Sequence, residues 1–271
     1  MRACVEARCH YIDLAELPEF LTAVARAAER AGAEDAGTLV VPGCSTSPSL
    51  IACLAQRFRG LAGLARVDAW LSIGTNNPSS PALLYGLLRP LGRELPDGER
   101  AYARLAWRSA RDGTALCYGR YPFPRENEEL DLGAGALPVR FFAGFDRSFV
   151  ARLLWIASRV VNPLSDAKLR RWTRWGDRAA KLARPFGGRI GRLALEAFDA
   201  SGECLAGIEV TAERDGLDVP AAPPVWLLQN IASSPVDGGG CVPFERRVAA
   251  DAALAGLARL GCRVDTWERA R

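Results

Sequence analysis

Residues 38–52, TLVVPGCSTSPSLIA, decide the fold of this chain. The apolar run at 39–41 ends at Pro42-Gly43, which is the pattern of a buried strand closed by a turn. Ser47 followed by Pro48 predicts a helix N-terminus near Pro48, with Ser47 as the capping residue. The loop between strand and helix consists of small hydroxyl and thiol side chains. Free backbone N–H groups and hydroxyls in such a loop suit a carboxylate or a phosphate.

The residues before this stretch predict a β-α-β unit. Residues 10–13 form the end of a strand, and residues 14–31 form a helix with its apolar positions on one face. The short connections favour parallel strands. Because so few parallel strands make a poor sheet, we expect the chain to begin inside a larger α/β domain whose earlier strands are absent.

The remaining chain alternates strands and helices without a repeat. Strands are predicted at residues 67–73, twice within 93–107, and at 115–118, 139–142, 192–198, 204–211 and 263–267. Helices are predicted at residues 81–91, 146–161, 165–182, 225–231 and 248–260. A turn at Asp199-Ala200-Ser201-Gly202 joins two of the strands into a hairpin. This mixture predicts an α+β region with a mixed sheet.

Composition excludes several classes of protein. The chain has 271 residues, 49% of them hydrophobic, and a net charge of +4, which is too small to indicate nucleic-acid binding. No apolar run approaches the roughly 18 residues of a membrane span, and the charged first ten residues are not typical of a signal peptide. The eight cysteines lack a CxxC pair, so we expect no metal site and a reduced, cytoplasmic protein.

The predicted helix at 165–182 combines basic residues with Trp172 and Trp175. A basic amphipathic helix with tryptophans is compatible with a membrane surface or a nucleic acid. The alternative is a tryptophan stripe packed on the preceding helix, with the charges in solvent. The sequence favours this alternative, because one basic helix rarely makes a binding surface.

Two catalytic motifs are incomplete. The glycine-rich stretch 187–192 resembles a dinucleotide fingerprint, but no strand precedes it and a hairpin follows it. The loop at 43–47 lies between strand and helix like a nucleophile elbow. However, the single histidine, His10, lies upstream of it, against the order of such triads. We therefore disfavour hydrolase chemistry and expect His10 to make a structural hydrogen bond at the end of its strand.

Several short motifs, in the same order, resemble the saccharopine dehydrogenase-like oxidoreductases, which include saccharopine reductase. The motifs are CHYID at 9–13, VPGCSTSPSL at 41–50, GTNNP at 74–78 and the glycine-rich stretch at 238–244. The resemblance extends over residues 5–265. It implies that this chain is the substrate-side portion of an NAD(P)-dependent oxidoreductase acting on a small molecule.

The resemblance also implies the domain organisation. Residues 1–60 would be the last part of a Rossmann-type domain, and residues 61–235 an α+β substrate and dimerisation domain with a mixed sheet. Residues 236–271 would return as a helix and strand to pack on the first segment. Since the GxGxxG part is absent from the sequence, we do not expect the chain alone to bind NAD or NADP productively, and enzymatic activity stays an open question.

The resemblance places eight residues at the cofactor or substrate and assigns none of them as catalytic. They are Tyr11, Asp13, Cys44, Ser45, Thr46, Ser47, Thr75 and Asn76. Each has a structural alternative: Asp13 and Ser47 can cap helices, and Thr75-Asn76 can shape a turn. The alternative function is a non-catalytic dimerisation or partner-binding module derived from the same family, which would form a homodimer through residues 139–211.

Overall fold

The computed structural model describes residues 1–133, 135–161, 164–233 and 238–269. The fold is mixed α/β, as predicted, with two sheets. The smaller sheet contains three parallel strands, β1 (Tyr11–Ile12), β2 (Leu39–Val41) and β10 (Gly240–Cys241), in the order β1-β2-β10. The parallel pairing of β1 and β2 confirms the predicted β-α-β unit.

The larger sheet is mixed and has the order β11-β9-β8-β3-β7-β5-β4, with a short strand β6 paired to β7. Its strands are β3 (Leu64–Ile73), β4 (Leu105–Ser109), β5 (Ala115–Tyr121), β6 (Glu129–Asp131), β7 (Ala136–Phe145), β8 (Gly191–Asp199), β9 (Cys204–Ala212) and β11 (Arg263–Glu268). Among its described strands only β3 and β7 pair in parallel, and the predicted hairpin is β8–β9. The central position of β3 between β7 and β8 makes the sheet mixed.

Eight α-helices surround the two sheets in the described residues. They are α1 (Arg2–Glu6), α2 (Pro18–Arg30), α3 (Ile51–Ala55), α4 (Pro81–Leu88), α5 (Ser148–Val161), α6 (Asp166–Ala183), α7 (Asp218–Ser233) and α8 (Ala250–Arg259). The helix α2 buries Val24 and Ala28 against Val40 of β2, as its apolar periodicity predicts.

One hydrophobic core joins the two sheets. Leu39 and Val41 of β2, all of α3, and the inner residues of β3, β8 and β9 belong to the same buried cluster. The helix α3 is buried on every side and contacts α8. A short helix that is apolar all round fits this position between layers. The turn that precedes α3 is therefore buried as well.

The larger sheet is strongly curled. The contacts of Arg108 show this, because this residue of β4 reaches the opposite half of the sheet. Its Nη1 lies 2.8 Å from Glu209 of β9, and its Nε donates to Glu196 of β8 at 3.0 Å. Four strand spacings separate β4 from β8, about 19 Å in a flat sheet, which no arginine spans. Trp70 on β3 also donates its indole N–H to Glu196 and stacks on Phe142. The concave face thus holds a second, partly charged core.

Two local predictions differ from the structure in extent. The helix predicted at 225–231 is present as α7, but α7 begins at Asp218 and contains Pro223 and Pro224. Pro223 is buried with Leu227, and this packing overrides the local preference of proline. The two strands predicted within 93–107 are reduced to one antiparallel bridge, Glu94–Arg100, and to the first residues of β4. The sequence shows no strand pattern at β6 or at β10, and neither strand is predicted. The domain boundary predicted between residues 235 and 236 lies outside the described residues.

The packing predicted for the tryptophans of α6 is wrong. Leu169 of α6 packs on Tyr85 of α4 and Val161 of α5, whereas Trp172 and Trp175 are exposed. Leu169, and not the two indoles, therefore makes the apolar contact of α6 with α4 and α5.

We predict that Arg108→Met lowers the free energy of unfolding by about 3–5 kcal/mol, because it leaves the fully buried Glu209 without its counter-charge. Urea unfolding followed by circular dichroism measures this loss. The control is Arg57→Met, which removes an exposed ion pair with Asp251 and should cost less than about 1 kcal/mol. Equal losses in the two variants would contradict the role of Arg108 in the curled sheet.

Candidate functional site

The helical turn after β2 begins two residues earlier than predicted. The helical turn starts at Thr46, with Ser45 at the cap position, and the Leu50 N–H donates to the Ser45 carbonyl at 3.0 Å in a wide, π-type turn. The prediction that Ser47 caps a helix starting at Pro48 is therefore wrong. The Ser47 side chain instead turns towards an acidic residue from the segment after β1.

That acidic residue is Glu16. Its Oε1 accepts hydrogen bonds from the Ser45 hydroxyl at 2.7 Å, from the Ser47 hydroxyl at 3.3 Å and from the Ser47 N–H at 3.5 Å. The turn does hold a carboxylate, as its hydroxyls and N–H groups predict, but the carboxylate belongs to the chain itself. The sequence patterns did not indicate Glu16, although an acidic residue close to the end of β1 is a usable signal.

Asp13 connects the ends of β1 and β2. Its Oδ1 accepts from the N–H groups of Ala15 at 2.8 Å and Gly43 at 2.9 Å. Its Oδ2 is buried and has no hydrogen-bond partner among the described residues. Burial, followed by the nearby Asp13 carboxylate, raises the pKa of Tyr11 to about 12. Asp13 does not cap α2, which begins only at Pro18.

Cys44 lies fully buried beside Asp13. Its N–H donates to the Asp13 carbonyl at 2.6 Å. Burial, with a smaller effect of the Asp13 charge, raises the pKa of Cys44 to about 12, so the thiol stays protonated at neutral pH. Thr46 is buried in the same turn. This environment opposes any role of Cys44 as a nucleophile.

Arg125 and Glu245 hold the other side of the turn. Arg125 donates from Nη2 and Nε to the Pro48 carbonyl at 2.7 and 3.1 Å, and it makes two bonds of 2.9 Å to the Glu245 carboxylate. A two-point contact between guanidinium and carboxylate fixes both side chains. These residues are 120 positions apart, and no local pattern connects them, so the sequence offered no signal for this contact.

Thr75 and Asn76 lie elsewhere, at the carboxyl end of β3. The Thr75 N–H donates to Asp146 Oδ1 at 2.7 Å, and the Thr75 hydroxyl donates to the same oxygen. Asp146 also accepts from the Gly188 N–H at 2.6 Å, and the Asn76 N–H donates to the Gly188 carbonyl at 2.9 Å. Parallel β3 and β7 end at one edge, which explains why Asp146 meets Thr75.

This second group is separate from the first. No hydrogen bond or ion pair among the described residues connects Thr75 or Asn76 with the turn at Ser45. Asn77 beside them is more than nine-tenths buried, and neither polar atom of its amide has a partner in the described part of the chain. The Asn77 N–H donates to the Gly74 carbonyl at 3.0 Å, so the segment also forms the predicted turn.

The structure also places the glycine-rich stretch at 187–192 and His10. The glycine-rich stretch at 187–192 leads into β8 and not into a helix, as predicted. The Leu39 N–H donates to His10 Nδ1 at 3.0 Å, which confirms the predicted structural hydrogen bond. In the described ranges, no group of three or more His, Cys, Asp or Glu side chains could hold a metal ion, and no helix is long and apolar enough to cross a membrane.

Comparisons with known proteins do not identify the chain. Models of protein families give no match, and neither do the sequences of curated proteins.

We predict that iodoacetamide at pH 8 modifies the exposed Cys9 but not Cys44 in the folded protein. With a pKa of about 12, only about one Cys44 in ten thousand is a thiolate at pH 8. Mass spectrometry of peptides after a time course measures both rates. In 8 M urea both cysteines should react alike, which serves as the control. Similar rates in the folded protein would contradict the buried, protonated state of Cys44.

Proposed function

We propose that this chain forms the substrate-side portion of an NAD(P)-dependent oxidoreductase of the saccharopine dehydrogenase-like kind. The observation that carries the proposal is the small parallel sheet β1-β2-β10, built from both ends of the chain. Its three strands would form the last part of a Rossmann-type domain. Ligands of such sheets bind at the carboxyl ends of the strands, where Asp13 and the turn at Ser45 lie.

The polar groups of this turn fit a nicotinamide ring. The carboxamide of nicotinamide both donates and accepts hydrogen bonds, and the buried Asp13 Oδ2 is an acceptor that no donor of the described residues reaches at hydrogen-bond distance, although the Tyr11 hydroxyl lies beside Asp13. The hydroxyls of Ser45 and Ser47, which donate to Glu16 in the structure, would donate to the carboxamide oxygen of the ring once Glu16 turned away. The carboxylate of Asp13 would favour the cationic, oxidised ring over the neutral, reduced ring.

The chemistry supplied by NAD or NADP is hydride transfer, and this chain would orient the ring and exclude water. In the proposal, a unit outside this chain holds the adenosine half of the cofactor. The end of β3, with Thr75 and Asn76, would face the small-molecule substrate. The amide of Asn77, whose two polar atoms have no partner among the described residues, would supply hydrogen bonds there.

We predict that nicotinamide mononucleotide binds the chain at the turn after β2. In a titration followed by ¹⁵N–¹H NMR, the amides of Gly43, Ser45 and Ser47 should shift saturably, while those of Gly98 and Gly202 in distant turns should not. The oxidised mononucleotide should bind about tenfold more tightly than the reduced one, because only its ring is cationic. Asp13→Asn should reduce this ratio.

Two outcomes would contradict the proposal. Absence of shifts at Gly43–Ser47 would remove the nicotinamide from this turn. NADPH binding far more tightly than the reduced mononucleotide would show that the chain holds the adenosine half as well, and would disprove that it is only the substrate-side portion.

A second candidate function is a non-catalytic module that forms a homodimer. The observation that favours it is an outward apolar stripe on α5, opposite the face that packs on the sheet. The exposed members of the stripe are Phe149, Leu153, Ile156 and Val160. They lie at intervals of three or four residues, so they form one continuous face. A partner covering this face would remove their apolar surface from water.

For this candidate we predict a dimer that Ile156→Glu dissociates into monomers, because a charge would be buried in the interface. Sedimentation velocity over a range of concentrations measures the change. The control is Leu228→Glu, which changes a similarly exposed residue on α7 and should leave the dimer intact. A wild-type chain that stays monomeric at high concentration would contradict the second candidate.

A further inference from the structure

The helix α6 has two apolar stripes, and only one of them is covered. Leu169 faces α4 and α5, and Gly176 lies against Leu84 of α4. The second stripe is formed by Trp172, Trp175, Ala179, Leu182 and, just beyond the helix, Phe186. Its large side chains are between 50% and 78% exposed, with Leu182 the most exposed. A soluble helix normally presents polar side chains on this outer face.

The same outer face is strongly basic. Residues 166–184 contain seven basic side chains and two acidic ones. The basic residues beside the stripe are Lys168, Arg171, Arg174 and Arg178. The other three contact the rest of the chain: Arg170 lies over the Tyr85 ring, Lys181 pairs with Asp177, and Arg184 donates to the Asn77 carbonyl. One of the acidic residues, Asp177, is turned inward, where it pairs with Lys181 at 2.6 Å and accepts from the Ser79 hydroxyl at 2.8 Å. The helix therefore presents an excess of positive charge around its apolar stripe.

The tryptophans and the basic residues also form a shared recess. Lys168, Arg171, Trp172 and Trp175 line a surface cleft of about 380 Å³. The guanidinium of Arg178 lies 4.9 Å from the Trp175 ring. An anionic group in this cleft would meet two cations, while the indoles would contact the apolar part of the same ligand.

We propose that α6 lies on an anionic membrane surface, with its outer stripe inserted between lipid headgroups. From Trp172 to Phe186 the stripe measures about 21 Å at the rise of a helix. Tryptophan, leucine and phenylalanine beside arginine and lysine form the composition that lies in the plane of a membrane interface. The arginines around the stripe would contact lipid phosphates. This inference does not depend on the proposed enzymatic function.

Two other occupants fit the helix less well. A second copy of the chain would bring the same basic residues face to face, and like charges repel. A nucleic acid would satisfy the arginines and stack on the indoles, but it offers nothing to Leu182 and Phe186, the two most exposed apolar side chains of the stripe. An anionic lipid surface matches both the charge and the apolar residues.

Vesicle sedimentation tests the proposal with the full chain. We expect binding to vesicles of 70% phosphatidylcholine and 30% phosphatidylglycerol, weak binding to pure phosphatidylcholine, and at least tenfold weaker binding in 0.5 M salt. The double variant Trp175→Ser/Leu182→Ser should lower the partition coefficient at least tenfold. Arg171→Gln/Arg174→Gln should lower it about 25-fold, since each basic residue contributes about fivefold.

Matched controls use equally exposed residues on other elements. Trp107→Ser removes an exposed indole from β4, and Arg26→Gln/Arg30→Gln removes two exposed charges from α2. Neither should change vesicle binding more than twofold. Circular dichroism verifies that every variant is folded, which is expected because all the substituted side chains are exposed.

Three results would overturn the proposal. The first is equal binding to neutral and anionic vesicles, or none to either. The second is an oligonucleotide that binds more tightly than the vesicles and depends on the same residues. The third is a dimer in sedimentation velocity that Trp175→Ser/Leu182→Ser dissociates.

Discussion

The turn after β2 places backbone and hydroxyl donors in the buried core, and the surrounding structure depends on giving these donors hydrogen-bond acceptors. Asp13 accepts from Gly43, and Glu16 accepts from Ser45 and Ser47. Both carboxylates come from the segment after β1, so the turn ties the two strands together. Because an unpaired donor in the core costs roughly 1–3 kcal/mol, these contacts determine how α3 can be buried. Through α3, they also set the small sheet against the large one.

Curling gives the large sheet two different faces. The convex face belongs to the core that includes β2, α3 and α8. The concave face closes over Trp70 and Phe142, with Arg108 held between Glu196 and Glu209. A buried ion pair of this kind contributes little net stability, but it penalises any register that separates the charges. The charges therefore specify the curvature more than they strengthen it.

The proposals concern different parts of the surface and rest on different physical features. The proposed nicotinamide site depends on buried acceptors at the carboxyl ends of β1 and β2. The proposed membrane contact depends on exposed indoles and arginines on α6, and the second candidate function depends on the apolar face of α5. Helices α5 and α6 both present apolar side chains and arginines outward. The outer faces of these two helices are thus two places where the chain has apolar surface left to bury.

The sequence alone determined the elements that rest on local patterns: the strand β2, the amphipathic α2, the β8–β9 hairpin and the hydroxyl-rich turn that suits an anion. Periodicity and turn chemistry act over a few residues, so they are visible without a fold. Only the tertiary structure decided which anion fills the turn, since Glu16 reaches Ser45 across 29 positions, and which surface stays open on α6. The pairing of Arg125 with Glu245, and of β10 with β2, joins distant parts of the chain. Such contacts depend on packing geometry, which no local pattern encodes.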